Sequence, residues 1–386
     1  MIIMLLSLHL LSLTINMKLS QNQSDALESL RGLSAIAVLI CHFFQVFLAR
    51  FYPDYFHADL IIAQSSVMIF FVMSGFLIGV SVQSNISRNG SFDLISYAKS
   101  RFLRIYPPLL FAIILCFILS SLAPIFFESG SASFMIPDAF TRGKSLEMPA
   151  KEILASLTFM NGFLPVGANF NSPLWSLPYE VWYYVVFGLL ATLRPGLVIL
   201  GLIFFFVISM ANDRFMAYSV IWGAGFAMSF LLSRTAYAKA LCVIGLAYFG
   251  YQSYLNAGTF LDGTTDLEMY KITFGLAFSM LVYIALFIYD LPFKVLKKSS
   301  KISYTLYITH FPVMLFFIGA FEYTVKNDAS LSAVIGICAM VVALIISHYA
   351  SQVFENKKVM AAMFMKKAMQ EKSNIRSPEH TSLTQK

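Results

Sequence analysis

The stretch LESLRGLSAIAVLICHFFQVFLA (Leu27–Ala49) has the apolar length of a membrane-spanning helix, yet it carries Arg31 near one end and His42 eleven residues further on. At roughly 1.5 Å and 100° per residue these two side chains stand about 16 Å apart and within about 20° of the same helix face. One groove can therefore run past both. Similar apolar runs recur along the chain, separated by short polar stretches. Of its 386 residues 58% are hydrophobic and only 12% are charged, about half the charge of a soluble domain. This pattern predicts an all-α, polytopic integral membrane protein. A membrane barrel would show alternating segments of about ten residues instead.

About ten transmembrane helices are predicted, near residues 30–49, 60–82, 104–123, 174–193, 196–211, 215–232, 240–256, 271–289, 302–321 and 331–353. An even number puts both termini on one side. With that side inside, 20 of the 27 basic residues fall in cytoplasmic loops and tails, as the positive-inside rule requires. The expected orientation is N-in, C-in. The net charge of +7 is thus a matter of topology and gives no signal for nucleic acid. Residues 1–27 read as a cytoplasmic lead, with Met17 as an alternative start. Residues 28–355 read as one membrane domain, and 356–386 as a basic tail attracted to anionic membrane lipid. The segment 124–173 is long, rich in proline and placed outside, where it could serve as a lid or acceptor surface. Cys41, Cys116, Cys242 and Cys338 show no paired spacing, and there is no metal signature.

Ionisable groups within the spans carry the functional signal, because each is costly in lipid unless it meets a partner or a cavity. They are His42, Glu180, His310 and His348. Counted from the predicted boundaries, His42, Glu180 and His310 lie roughly 18, 21 and 12 Å above the inner edge of a core about 30 Å thick. Three such groups at mid-depth predict a shared polar cavity. Taken alone, His42 also fits a buried imidazole bonded to a backbone carbonyl; its alignment with Arg31 and the nearby Glu180 favour a general base. His348 lacks such company and reads as structural. At the inner face, YAKSRFLRIYPP (Tyr97–Pro108) brings Lys99, Arg101 and Arg104 together. Arg101 and Arg104 share a helix face. They read either as ordinary inner-face anchors or as an anion site, since guanidinium groups grip phosphate in a two-pronged fashion.

These segments resemble the acyltransferase 3 family of integral-membrane acyltransferases over nearly the whole chain. LESLRGLSAIAVLICHF (27–43) is similar to the family's first helix, with an arginine and a histidine at this spacing. IFFVMSGFLIG (69–79) resembles its second-helix motif, and KSRFLRIYPPLL (99–110) its R-x-x-R-I-Y-P element. SPLWSLPYEVWYY (172–184) resembles the L-W-S-L-x-x-E segment, and KISYTLYITHFP (301–312) the late S-Y-x-L-Y-x-x-H element. Val181 stands where the family often has a second acid. Ser300 replaces a usual glycine, and only Phe354 and Glu355 remain of the usual last-helix ending.

The resemblance implies transfer of an acyl group, by default acetyl from cytoplasmic acetyl-CoA as co-substrate. The acceptor would be a hydroxyl of a surface glycan or its lipid-linked saccharide precursor, at the bacterial inner membrane. It implies Arg31, Lys99, Arg101 and Arg104 as ligands of the CoA phosphates, with Tyr304 and Tyr307 lining the donor site. His42, Glu180 and His310 would be catalytic, with Glu180 orienting the imidazole, and Trp175 and Ser176 would meet the acceptor. A covalent acyl-histidine relay stays open. The competing reading is a transporter of a glycan precursor or small anion that uses His42 and Glu180 as a proton relay.

Overall fold

The computed structural model describes residues 19–135, 144–230, 236–356 and 359–360. Most of the expected N-terminal lead, Arg234 and most of the basic tail lie outside the described residues. The described chain is all-α, its one β contact being an isolated bridge between Asn161 and Leu164. The helices are α1 Gln21–Phe43, α2 Phe56–Asn89, α3 Leu94–Phe126, α4 Ala150–Leu157, α5 Leu177–Ala191, α6 Pro195–Ala211, α7 Asp213–Met228, α8 Ala236–Leu261, α9 Glu268–Val282, α10 Ser303–Ala320, α11 Glu322–Asn327 and α12 Ala329–Phe354. Among the described residues each predicted apolar segment overlaps a helix. Among the described residues, six helical stretches are long and apolar enough to cross a membrane: α1 with its continuation to Leu48, α2 with its lead-in from Pro53, α3, α9 with its continuation to Ile288, α10 and α12. Helices α5, α6 and α7 have only 15, 17 and 16 residues, about 22–26 Å against a core of about 30 Å.

Two helices start well before the predicted spans, and their caps explain why. Ser20 and Gln23 form a capping box at the start of α1, so the helix begins nine residues before residue 30. Asp93 accepts from the backbone N–H groups of Ile95 and Ser96 at the start of α3, which places the basic cluster inside the helix. Just beyond His42, α1 widens into a π-helical turn, Phe44–Leu48. Such turns are frequent at functional sites.

The packing of α2 against α7 sets the site. A Cβ on Gly75 would stand 2.0 Å from the Trp222 carbonyl oxygen, and one on Gly225 would stand 2.0 Å from that of Val72. The two glycines let the backbones touch reciprocally, the close approach by which small residues pack membrane helices. Trp222 is thereby buried against α2, with its indole N–H on the Ser74 hydroxyl at 3.2 Å.

Candidate active site

A cavity of about 260 Å³ opens between α1, α2, α3, α5 and α10. Seven of the eleven predicted site residues line it: Arg31, Arg101, Arg104, Ser176, Glu180, Tyr304 and Tyr307. One wall is cationic. Arg31 Nη2 donates to the Ser303 hydroxyl at 3.3 Å. Arg101 Nη2 reaches the Ser81 and Ser100 hydroxyls at 3.4 and 3.3 Å, and its guanidinium lies over the Tyr97 ring. Its Nε is buried with no hydrogen-bond partner. Among the described residues none of the three arginines takes part in a salt bridge. Three guanidinium groups facing one cavity without a bound carboxylate have donors to spare for an anion.

Glu180, in the first turn of α5, accepts from the Ser74 hydroxyl at 2.9 Å and from the Tyr184 hydroxyl. It lies within electrostatic reach of Arg31, as does Glu355. Glu355 itself accepts from the N–H and hydroxyl of Thr305, at 2.9 and 2.7 Å, and so ties the end of α12 to the start of α10. The expected bond between Glu180 and the His42 imidazole is not present. Helix α5 turns this carboxylate toward Ser74 of α2 and the Tyr184 hydroxyl one turn further along α5, and α10 supplies the partner of His42 instead.

That partner is His310. Its Nε2 lies 2.8 Å from His42 Nδ1, and its own Nδ1 lies 2.7 Å from the Leu306 carbonyl oxygen. A carbonyl only accepts, so His310 Nδ1 carries a proton and, in the neutral ring, His310 Nε2 is a bare acceptor. His42 Nδ1 must then be the donor in the imidazole pair. This leaves His42 Nε2 with its lone pair free, the arrangement of a general base held in one tautomer. The Leu306 carbonyl thus sets both rings. The histidines stack at 5.0 Å between centroids, with Phe311 edge-on to His42 at 5.2 Å. Tyr307 joins this pair to the cavity: it is part of the cavity wall, its ring is 6.4 Å from that of His310, and its hydroxyl bonds to Ser176 at 2.7 Å.

Two predicted residues stand elsewhere. Lys99 is exposed and away from the cavity lining; two residues before Arg101, it points about 200° round the helix. Trp175 packs on Tyr179 and Tyr218, with the Lys271 ammonium 5.7 Å from its ring centroid. His348 is exposed and bonds to Gln352 on its own helix. The four cysteines are free thiols. Among the described residues no cluster of His, Cys, Asp or Glu could hold a metal ion.

Sequence reading did not single out Ser74, Tyr184 or Asn171. Ser74 lies inside the second-helix motif, and Tyr184 is one helical turn after Glu180, the spacing at which side chains meet. Asn171 is fully buried, with its amide nitrogen 2.7 Å from the Ile308 carbonyl oxygen. Its only sequence signal is its place just before SPLW.

No curated protein and no solved structure matches the chain. A family model described as an acyltransferase domain matches residues 24–350, which takes in the arginines, the carboxylate and both histidines. The chain belongs to the acyltransferase 3 family.

Proposed function

We propose that this membrane acyltransferase moves an acetyl group from cytoplasmic acetyl-CoA to a hydroxyl of a surface glycan or of its lipid-linked precursor. The observation that carries the reading is the pairing of two features: three arginines without carboxylate partners on one cavity wall, and a histidine with a free Nε2 beyond Tyr307. Arg31, Arg101 and Arg104 bind the CoA phosphates, where charge-assisted, forked hydrogen bonds are strongest. Tyr304 and Tyr307 line the path of the pantetheine arm. Glu180 offsets part of the arginine charge and, through Ser74 and Tyr184, keeps that wall in register. Ser176, on the cavity wall, faces the acceptor.

In the transfer, His42 Nε2 takes the proton of the acceptor hydroxyl as its oxygen attacks the thioester carbonyl carbon. The C–O bond forms, the C–S bond breaks, and the departing CoA sulfur recovers the proton from His42. His310 keeps its hydrogen bond to His42 Nδ1 throughout and so stabilises the imidazolium. The proposed topology is ten spans with both termini in the cytoplasm of a bacterium, at its inner membrane. A transporter that relays protons between His42 and Glu180 finds no support in the bonding, since the two residues are bound to different partners.

The test is transfer of radiolabelled acetyl from acetyl-CoA into the envelope glycans of isolated membranes. His42→Ala at wild-type abundance is expected to lower kcat by about 10²–10⁴-fold, the usual worth of a positioned acid–base group. Unchanged transfer would remove His42 from the chemistry.

A further inference from the structure

Pro312 lies inside α10. A proline has no N–H to give to the carbonyl four residues earlier, so the Ile308 carbonyl lacks its helical partner. This carbonyl sits in the middle of the stretch that fixes the histidine pair. Leu306 accepts from His310 Nδ1, Tyr307 bonds to Ser176, and His310 follows two residues later. In the bilayer interior no water is at hand, and an unpaired backbone carbonyl there drives the helix to shift until it finds a donor.

The missing donor comes from outside the helix. Asn171, at 0% exposure, places its Nδ2 2.7 Å from the Ile308 oxygen. Its backbone is held by a turn, its N–H on the Ala168 carbonyl and its own carbonyl receiving the N–H of Leu174. Its Oδ1 is buried with no partner, so the amide is held there by its nitrogen alone. Five residues later the same segment reaches α10 again through Ser176 and Tyr307.

We infer that Asn171 is a positioning residue for the histidine pair: it gives the Ile308 carbonyl the hydrogen bond that Pro312 withholds, and so keeps the Leu306–His310 backbone where it sets both imidazole tautomers. The inference rests on the reading of His42 as the base. A shifted Leu306 carbonyl would free His310 to carry its proton on Nε2. That tautomer cannot accept from His42 Nδ1, and the lone pair on His42 Nε2 would no longer be assured. The three arginines themselves stand on α1 and α3, and the contact of Arg31 with α10 is at Ser303, in the first turn, ahead of Leu306.

The test compares full-length wild type, Asn171→Leu, Pro312→Ala, the double variant and His42→Ala in membranes, by acetyl transfer from labelled acetyl-CoA per molecule of folded protein. Asn171→Leu is expected to lower kcat at least tenfold, with KM for acetyl-CoA within twofold of wild type. Pro312→Ala restores an N–H to the Ile308 carbonyl, so in that background Asn171→Leu should cost less than threefold. A purely structural role would lower the amount of folded protein and leave kcat per folded molecule unchanged. The inference is overturned by a wild-type kcat in Asn171→Leu, by a loss expressed in KM, or by a double variant at least tenfold below Pro312→Ala alone. Should Asn171→Leu fail to reach the membrane, the comparison of the double variant with Pro312→Ala decides by the same thresholds. Absence of the double variant while Pro312→Ala is present also counts against it. Wild-type transfer in His42→Ala defeats the base reading itself; an inactive His42→Ala beside a fully active Asn171→Leu defeats only the role of Asn171.

Discussion

Two groups of cations in this protein are built in opposite ways. At the start of α9, Lys271 is almost fully buried and satisfied: its ammonium donates to the Tyr218 hydroxyl at 3.1 Å and to Glu268 at 3.0 Å. Arg214 meets the same carboxylate at 3.2 Å. The aromatic rings of Trp175 and Tyr218 complete the enclosure. On the cationic wall of the cavity, Arg31, Arg101 and Arg104 have hydroxyl partners or none, and Arg101 Nε is buried unpaired. Paired charge holds helices together. Unpaired charge kept at a cavity is held ready for something that arrives from outside, and its cost to the empty protein is repulsion that an anion relieves.

The sharpest way to break this contrast is Arg104→Ala. No protein group depends on Arg104 for a hydrogen bond or ion pair among the described residues, so its removal strands nothing. Donor binding should suffer instead. A charge-assisted hydrogen bond is worth about 1.5–3 kcal/mol, so KM for acetyl-CoA should rise about 10- to 100-fold while thermal stability stays within about 1 kcal/mol of wild type. A large fall in stability with unchanged KM would put Arg104 in the same class as Lys271.

Lys271→Met is the reciprocal experiment and the next largest effect. It leaves the Glu268 carboxylate, about a quarter exposed, with Arg214 and Tyr218, so stability should fall by about 1–3 kcal/mol. KM for acetyl-CoA should be unchanged, because Lys271 lies outside the cavity lining. Denaturation in detergent together with donor titration reads both quantities on one preparation. A shift confined to KM would place the donor on the wrong side of the protein.

The contrast also explains how far the residues could be read in advance. The cost of an ionisable group in lipid picks out His42, Glu180 and His310 without any structure, and their common depth brings them to one region of the fold. Depth alone does not give partners. Which histidine or carboxylate faces which depends on the rotation of α1, α5 and α10 about their axes, and that is fixed by contacts such as Gly32 against the Leu296 carbonyl, Gly188 against Tyr97 and Gly319 against Phe127, far apart in sequence. Hence Glu180 was expected on His42 and is found on Ser74 and Tyr184. The starts of α1 and α3 were hidden because polar and charged residues there look unlike membrane, although Ser20 and Asp93 are good caps. Lys99 was within reach of simple helical geometry, since two residues' separation from Arg101 turns it away. Asn171 was not: its role follows from a missing N–H at Pro312, 141 residues later in the chain.

The smallest effect is expected at a third cationic site, in the first turns of α1, and it tests whether the paired class behaves as structure over the whole neutral range. Lys297, in the turn Lys297–Lys301, donates to Asp25, and Lys294 approaches the same carboxylate at 3.5 Å. The hydrogen bond to Asp25 holds the Lys297 ammonium above its ordinary value of 10.5, against a smaller opposing cost of desolvation. Because the folded value is the higher one, this contribution to stability is complete below about pH 10.5 and is lost only as pH climbs through the folded value. Asp25→Asn should therefore lower Tm by a constant amount between pH 7 and about pH 10, and the gap to wild type should close above that. KM for acetyl-CoA should not move at any pH in this window, since neither residue lines the cavity. A gap that closes between pH 7 and 9 would mean that another titrating group controls the clamp, and that its charges are not the settled pair that the geometry describes.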